Sequence, residues 1–460
     1  MAKVLKPGEK LVGVLIHTED EHAPYVPAQL WLDAKFGVMA EVPLMVNRPQ
    51  FAAATRWFRE RKPPENLLFR SDSLNVSLFN CRFSRFSDGT YVGVGRIRAG
   101  EAVLHERAGA IDEPLIVTSL SSVIDGLADW TGMTSVQWES EMVPGDLGRR
   151  KRRVVYTVEP RDGMTWLQGE ARMSLTTDWR HDQPGGRGIY LDDRVILQSR
   201  FRTPRPVAQH LAEQRKFRDL VTINLGTGGH FHQHHIRDRC FPALGLNGDI
   251  HGVEDHQLLS WSTVTEHLLP AAATEWDHVL GHGQLPPALL TKWAREYDNW
   301  KRVILPTASV LRRAQTFAQD KVLNASMSIE ALGGRLGRMA GEEQTHAGGN
   351  RPTTATYFYR AIMHSCIDFS GISSSDADAA RAMAEVYNTV KHADKGDFPD
   401  PMHTYFTGRI ALLLVRVALM HQLTGKDSEI KPFAASWAVK QVFHDMQQNS
   451  VTVDSTGKFN

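Results

Sequence analysis

Asn388, Lys391 and His392 set an amide, a cation and an imidazole within about one helical turn of each other near the C-terminal end. Residues three and four apart share a helical face, so Asn388 is matched with both Lys391 and His392. The chemistry open to such a set is phosphate binding combined with proton transfer, which a positioned histidine performs near neutral pH. A histidine closing a helix is equally explained by the negative end of the helix dipole. The three residues alone leave both readings open.

The element that must position them is a helix predicted over Asp376 to His392, running out into a polar, Gly-stopped loop. Ser375 is suited to cap it, Asp376 favours the positive end of the dipole, and Asp378 completes an S-x-x-D capping pattern. Met383, Val386, Tyr387 and Val390 fall at i, i+3, i+4 and i+7 and form an apolar stripe for a bundle. Arg381, Glu385, Asn388 and His392 form a second stripe that faces solvent or an interface. Glu330, on a preceding predicted helix, is either an orienting carboxylate for the histidine or lysine, or a solvated one.

Other chemistry-bearing stretches are weaker. In Gly228-Gly229-His230-Phe231-His232-Gln233-His234-His235, an extended chain would project His230, His232 and His234 to one face, and imidazoles suit Zn²⁺, Ni²⁺ or Cu²⁺. Cys240 and Asp238 are near enough in sequence to join. The spacing matches no structural zinc pattern and no H-E-x-x-H occurs, so a loop from Gly228 to Asp249 is the default and neither metal nor cofactor is expected. Gly93-x-Gly95 lacks the following helix of a dinucleotide fold, and neither G-x-x-x-x-G-K-[ST] nor G-x-S-x-G occurs. The run Arg149 to Arg153 offers phosphate contacts, or is a solvated linker.

At 460 residues the chain suggests two or three domains, and a net charge of +1 excludes a global case for nucleic acid. Three widely spaced cysteines are no disulfide framework and fit a reducing cytoplasm. No membrane span and no signal peptide is expected, which makes the expectation a cytoplasmic protein. Residues 10–160 read as β-rich, with strands expected at Leu11–Ile16, Gln29–Leu32, Asn75–Phe83 and Tyr91–Ala99. A second β-rich block holds Val154–Val158, Trp166–Met173 and Val195–Arg200, and a helix is expected over Pro206–Ile223. Beyond Leu285 the pattern is helical: 288–300, 307–337, 353–366, 376–392, 404–424 and 434–447. The expectation is α+β: a β-rich N-terminal part over 1–150, a mixed β/α part over 151–305, a helical bundle over 306–448 and a disordered tail over 449–460.

The helical region also resembles a known family. Leu323–Leu336 with Glu330, and Tyr387–His392, are similar to a HEPN domain, a small bundle found in prokaryotic defence systems. The Gly13-Val14-Leu15 strand, the Gly93–Ala99 run and the Trp293–Trp300 helix are similar to ApeA-like anti-phage proteins. The resemblance implies a metal-independent endoribonuclease that acts as a homodimer through its helical domain. The β-rich region would restrain or trigger it in response to a phage-derived component. In such enzymes an Arg precedes the His by four to six intervening residues; the corresponding positions here hold Tyr387, Val386 and Glu385. The resemblance assigns His392 to proton transfer, Asn388 to orienting phosphate or ribose, and Glu330 to orienting its neighbours. Lys391, or Arg381 from a partner chain across a two-fold axis, would supply the positive charge. The alternative is a catalytically silent HEPN-like domain that binds RNA or a nucleotide, or mediates dimerisation, with the β region recognising a partner.

Overall fold

The computed structural model describes residues 5–18, 25–46, 48–144, 150–182, 190–244, 250–260, 263, 278–313, 315–348, 350–392, 394 and 396–460. The first strands are β1 (Lys10–Ile16), β2 (Val26–Asp33), β3 (Gly37–Met45), β4 (Leu67–Arg70), β5 (Asn75–Phe79) and β6 (Arg82–Ser87). They are followed by β7 (Val92–Arg98), β8 (Glu101–Val103), β9 (Ile116–Ile124), β10 (Val136–Pro144), β11 (Arg150–Val158) and β12 (Asp162–Gln168). The last are β13 (Ala171–Asp182), β14 (Tyr190–Pro206), β15 (Phe231–Arg237), β16 (Pro242–Leu244), β17 (Ile250–Val253) and β18 (His256–Ser260).

The helices are α1 (Ala52–Arg59), α2 (Leu127–Thr131), α3 (Val207–Leu225), α4 (Pro287–Leu311) and α5 (Ala318–Gly333). Then come α6 (Thr354–Ser365), α7 (Asp376–Lys391), α8 (Pro401–Thr424), α9 (Asp427–Ala434) and α10 (Trp437–Gln448). The architecture is α+β, with a large β-rich N-terminal region followed by a helical region.

Fourteen strands form one sheet in the order β12-β13-β14-β9-β15-β18-β8-β5-β4-β1-β2-β3-β7-β6, while β10 and β11 stand apart as a two-stranded ribbon. The strands of this sheet come from both sides of residue 150, and residue 305 lies inside α4. One apolar core covers β1–β7 with Phe58 of α1 and Ile97 of β7 in it. A second, larger one runs from Ile124 through Phe217, Trp293 and Leu414 to Val451, so the β14 end of the sheet and the helices share a single interior. Helix α8 is long and apolar enough to cross a membrane by length and composition, but most of it is buried inside the protein.

Several local expectations change. Asn75–Phe83 is broken at Asn80, whose φ of 51° turns the chain, and Trp166–Met173 folds back at Gly169 with φ 58°. The long helical pattern after Thr307 divides between α4 and α5, while the final expected helix is α10 and a short helix, α9, precedes it. The stretch expected as a His-rich loop holds β15, hydrogen-bonded between β9 and β18. Residues 245–249 of that stretch, and Arg149 of the basic run, lie outside the described residues. The expected disordered tail is ordered instead: Val451 and Val453 are buried, and Val453 N–H donates to Ile372 O at 2.8 Å. Its polar composition concealed two valines that find an apolar seat against the bundle.

Candidate functional site

Helix α7 starts as its sequence requires. Ser375 accepts from Asp378 N–H at 3.1 Å and donates to the Asp378 carboxylate at 2.6 Å. Met383, Val386 and Tyr387 are buried along the apolar stripe, and Tyr387 is fully enclosed beside Val322 of α5.

Tyr387 also carries a polar tip. Its hydroxyl donates to Glu330 Oε2 at 2.9 Å, Lys391 Nζ reaches the same oxygen at 3.3 Å, and Thr354 donates to Glu330 Oε1 at 3.1 Å. The Lys391 ammonium stands 4.9 Å from the Tyr387 ring centroid. Glu330 therefore ties α5, α6 and α7 together. Burial pushes the Tyr387 phenol up, with Lys391 opposing and Glu330 adding to the shift. The hydrogen bond with Tyr387, and then the charge of Glu330, hold the Lys391 ammonium above its ordinary range.

On its other side α7 lines a cleft of about 420 Å³ with the start of α6. Arg381, Glu385 and Asn388 contribute from α7, and Thr353 and Thr354 from the N-terminal end of α6. The second stripe of the sequence thus lines one concave surface. Arg381 donates to Gln344 O at 2.9 Å and pairs with Asp378. Thr353 caps α6 in a capping box with Thr356, so the cleft opens beside a helix N-terminus, which favours anions. His392 is exposed and extended (φ −114°, ψ 108°), one residue past the end of α7, its N–H donating to Asn388 O at 3.1 Å. Lys391 thus goes to Glu330, Asn388 to the cleft, and His392 lies exposed just past the helix end. The single helical face expected for the three is divided: Asn388 and Lys391 meet different neighbours within α7, and His392 is off the helix because it stops at Lys391.

The histidines in and before β15 pack against the sheet and its edge loop. His234 is fully buried, with Nδ1 2.6 Å from Ser122 Oγ, while Ser122 donates to Gln214 Oε1 at 2.5 Å. His230 N–H donates to Asp125 Oδ1, and His232 Nε2 lies 3.9 Å from Asp125 Oδ2. Burial pushes the Asp125 carboxyl up, but the hydrogen bonds from His232 and His230 outweigh it and hold it below the usual range. Among the described residues no group of three His, Cys, Asp or Glu side chains is placed to hold a metal, so His230, His232 and His234 do not converge on one.

Sequence reasoning missed one spacing. Arg416 and His421 on α8 have four residues between them, the only such pair in the helical region from 306 to 448. Reading Arg-to-His intervals along the whole helical region would have found it. The two side chains point to different neighbours. Arg416 donates to Ile223 O and Asn224 O at the end of α3, both at 2.9 Å. His421 stands 3.2 Å (Nδ1 to Nδ1) from His364 and 3.0 Å from Asp427. Arg416 is a strut between the bundle and α3 and does not line the cleft of α6 and α7.

Residues 40–232 match a family model described as ApeA N-terminal domain 1. The matched stretch runs from β3 into β15 and includes the Gly93–Ala99 run. No curated protein and no solved structure matches the chain.

Proposed function

We propose that the chain works in anti-phage defence, its ApeA-like N-terminal region restraining or triggering a HEPN-like helical region that acts on RNA as a metal-independent endoribonuclease. The observation that carries the RNA reading is the cleft between α6 and α7. There a guanidinium (Arg381), an amide (Asn388) and two hydroxyls (Thr353, Thr354) line one concave surface with the Glu385 carboxylate, beside a helix N-terminus; a phosphodiester would draw Arg381 from Asp378 and Gln344 and would meet the Asn388 amide. His392, exposed one turn of chain beyond Asn388, would take the proton from a ribose 2′-hydroxyl as that oxygen attacks the adjacent phosphorus. The P–O5′ bond breaks, and protonated His392 returns a proton to the leaving oxygen, giving a 2′,3′-cyclic phosphate and a 5′-hydroxyl. Arg381 would balance the charge building on the phosphate, from its own chain or from the partner in a two-fold dimer.

A second reading has its own support. Tyr387 fills the position five residues before His392 and is buried and hydrogen-bonded to Glu330, which also engages Lys391. A helical region so arranged would bind RNA, or dimerise, without cutting it.

Incubating the full chain with RNA in EDTA separates the two. Under the first reading cleavage persists in chelator, His392→Ala lowers it by roughly 10²-fold or more, and the dimer is unchanged. Full cleavage by that variant overturns the assignment of His392. Binding without cleavage, weakened by Arg381→Gln, selects the second reading.

A further inference from the structure

The ribbon of β10 and β11 has no buried residue on either strand. Its base is clamped to β14, since Thr134 Oγ1 and Ser135 N–H donate to the Asp193 carboxylate at 2.5 and 2.9 Å. It is therefore held at one end and open on both faces.

The register divides its side chains by chemistry. Trp138 pairs with Tyr156, Ser140 with Val154, Met142 with Arg152 and Pro144 with Arg150, all on one face because side chains alternate along a strand. Trp138 and Tyr156 are each 61% exposed and Met142 is 57% exposed. Arg152 Nε donates to Ser140 Oγ at 2.8 Å, which lays the guanidinium along this face. Glu139 and Glu141 lie on the opposite face, where Glu141 meets Arg153 at 3.4 Å. Along the described strands β10 and β11, one face thus carries an aromatic pair with cations alone, and Glu139 and Glu141 are turned away from it.

We infer that this face is a docking surface for single-stranded RNA, bases stacking on Trp138 and Tyr156 and phosphates meeting Arg152 and Arg150. The aromatic pair and the Met142–Arg152 pair are four residues apart, ~13 Å of strand, so stacking and charge contacts fall on successive parts of one strand of nucleic acid. Duplex bases are already stacked and would leave the aromatic pair unused. The choice of RNA over single-stranded DNA rests on the RNA reading of the helical region; the ribbon geometry does not.

The test uses the full chain in EDTA with a fluorescent 2′-O-methyl oligouridine, which cannot be cleaved, and a matching oligothymidine. Wild-type protein should bind the oligouridine, and Trp138→Ala with Tyr156→Ala should weaken binding by tenfold or more. Both side chains are exposed, so an unchanged melting temperature checks the fold. Arg150→Gln with Arg152→Gln should flatten the salt dependence by a slope of about 1.4, since each single-strand phosphate contact contributes about 0.7. Glu139→Gln with Glu141→Gln should leave affinity unreduced. Unchanged binding by the aromatic variant, or altered self-association in place of altered binding, overturns the ribbon assignment. Binding of oligothymidine alone overturns the choice of RNA and leaves the ribbon intact.

Discussion

The Tyr387 hydroxyl donates to Glu330 Oε2 at 2.9 Å from a side chain that is otherwise fully enclosed. The bond fixes α7 against α5 at the level where Asn388 turns into the cleft. Tyr387→Phe keeps the ring and removes the donor, leaving Glu330 to Lys391 and Thr354. Hydrogen bonds to a charged group are worth about 2 kcal/mol, so chemical denaturation should show a loss of that order with an unchanged m-value.

Arg416 and Gly226 give a second check, on the joint between the bundle and the sheet. Gly226 closes α3 with φ 79°, and a Cβ there would lie 2.4 Å from Arg416 Cζ. Gly226→Ala combines left-handed strain with that clash and should lower stability by roughly 2–4 kcal/mol. Arg416→Met removes donors from Ile223 O and Asn224 O and should cost about 2 kcal/mol. Both are read as shifts of the denaturation midpoint.

The amphipathic helices were legible because their apolar positions and start signals agree; α7 runs from the residue that Ser375 caps. The β-rich texture was legible too, since alternation survives in β1, β2 and β7. What misled was polarity used internally. His234 and His235 look like loop residues, yet Ser122 and Arg180 satisfy them inside the sheet. At the candidate site, spacing identified the stripe of Arg381, Glu385 and Asn388. It did not show that the Lys391 side chain goes to Glu330, because that carboxylate lies 61 positions earlier in the chain.

These buried histidines set a pH dependence. Burial, with nearby cationic groups adding to it, pushes His234 down to about 3 and His235 to about 4. Both are neutral in the native state, whereas in the unfolded chain they take up protons below about 6.5. Their contribution is therefore fully present above pH 6.5 and is lost as pH falls toward 4 and then 3. Each adds up to about 1.4 kcal/mol of slope per pH unit in that window. Urea denaturation from pH 7 to pH 4 should show the fall. His234→Asn, which keeps a polar group near Ser122 but does not titrate, should reduce the slope by about half.

Residues Val451 to Asn460 form a strap whose removal reaches the cleft. Val451 and Val453 are buried, Phe459 stacks on His403 with ring centroids 5.2 Å apart, and Asn460 N–H returns to Thr452 O at 2.9 Å. Gly457 (φ 78°) lies against Arg381, where an added Cβ would come within 2.7 Å of the Arg381 side chain. Truncation after Ser450 removes both buried valines with their apolar contacts and should lower stability by about 3 kcal/mol. Gly457→Val keeps the valines seated but crowds Arg381 and strains a left-handed turn. It should weaken RNA affinity several-fold while lowering the melting temperature less than truncation does. If RNA affinity is unchanged in Gly457→Val, Arg381 does not depend on the strap for its place at the cleft.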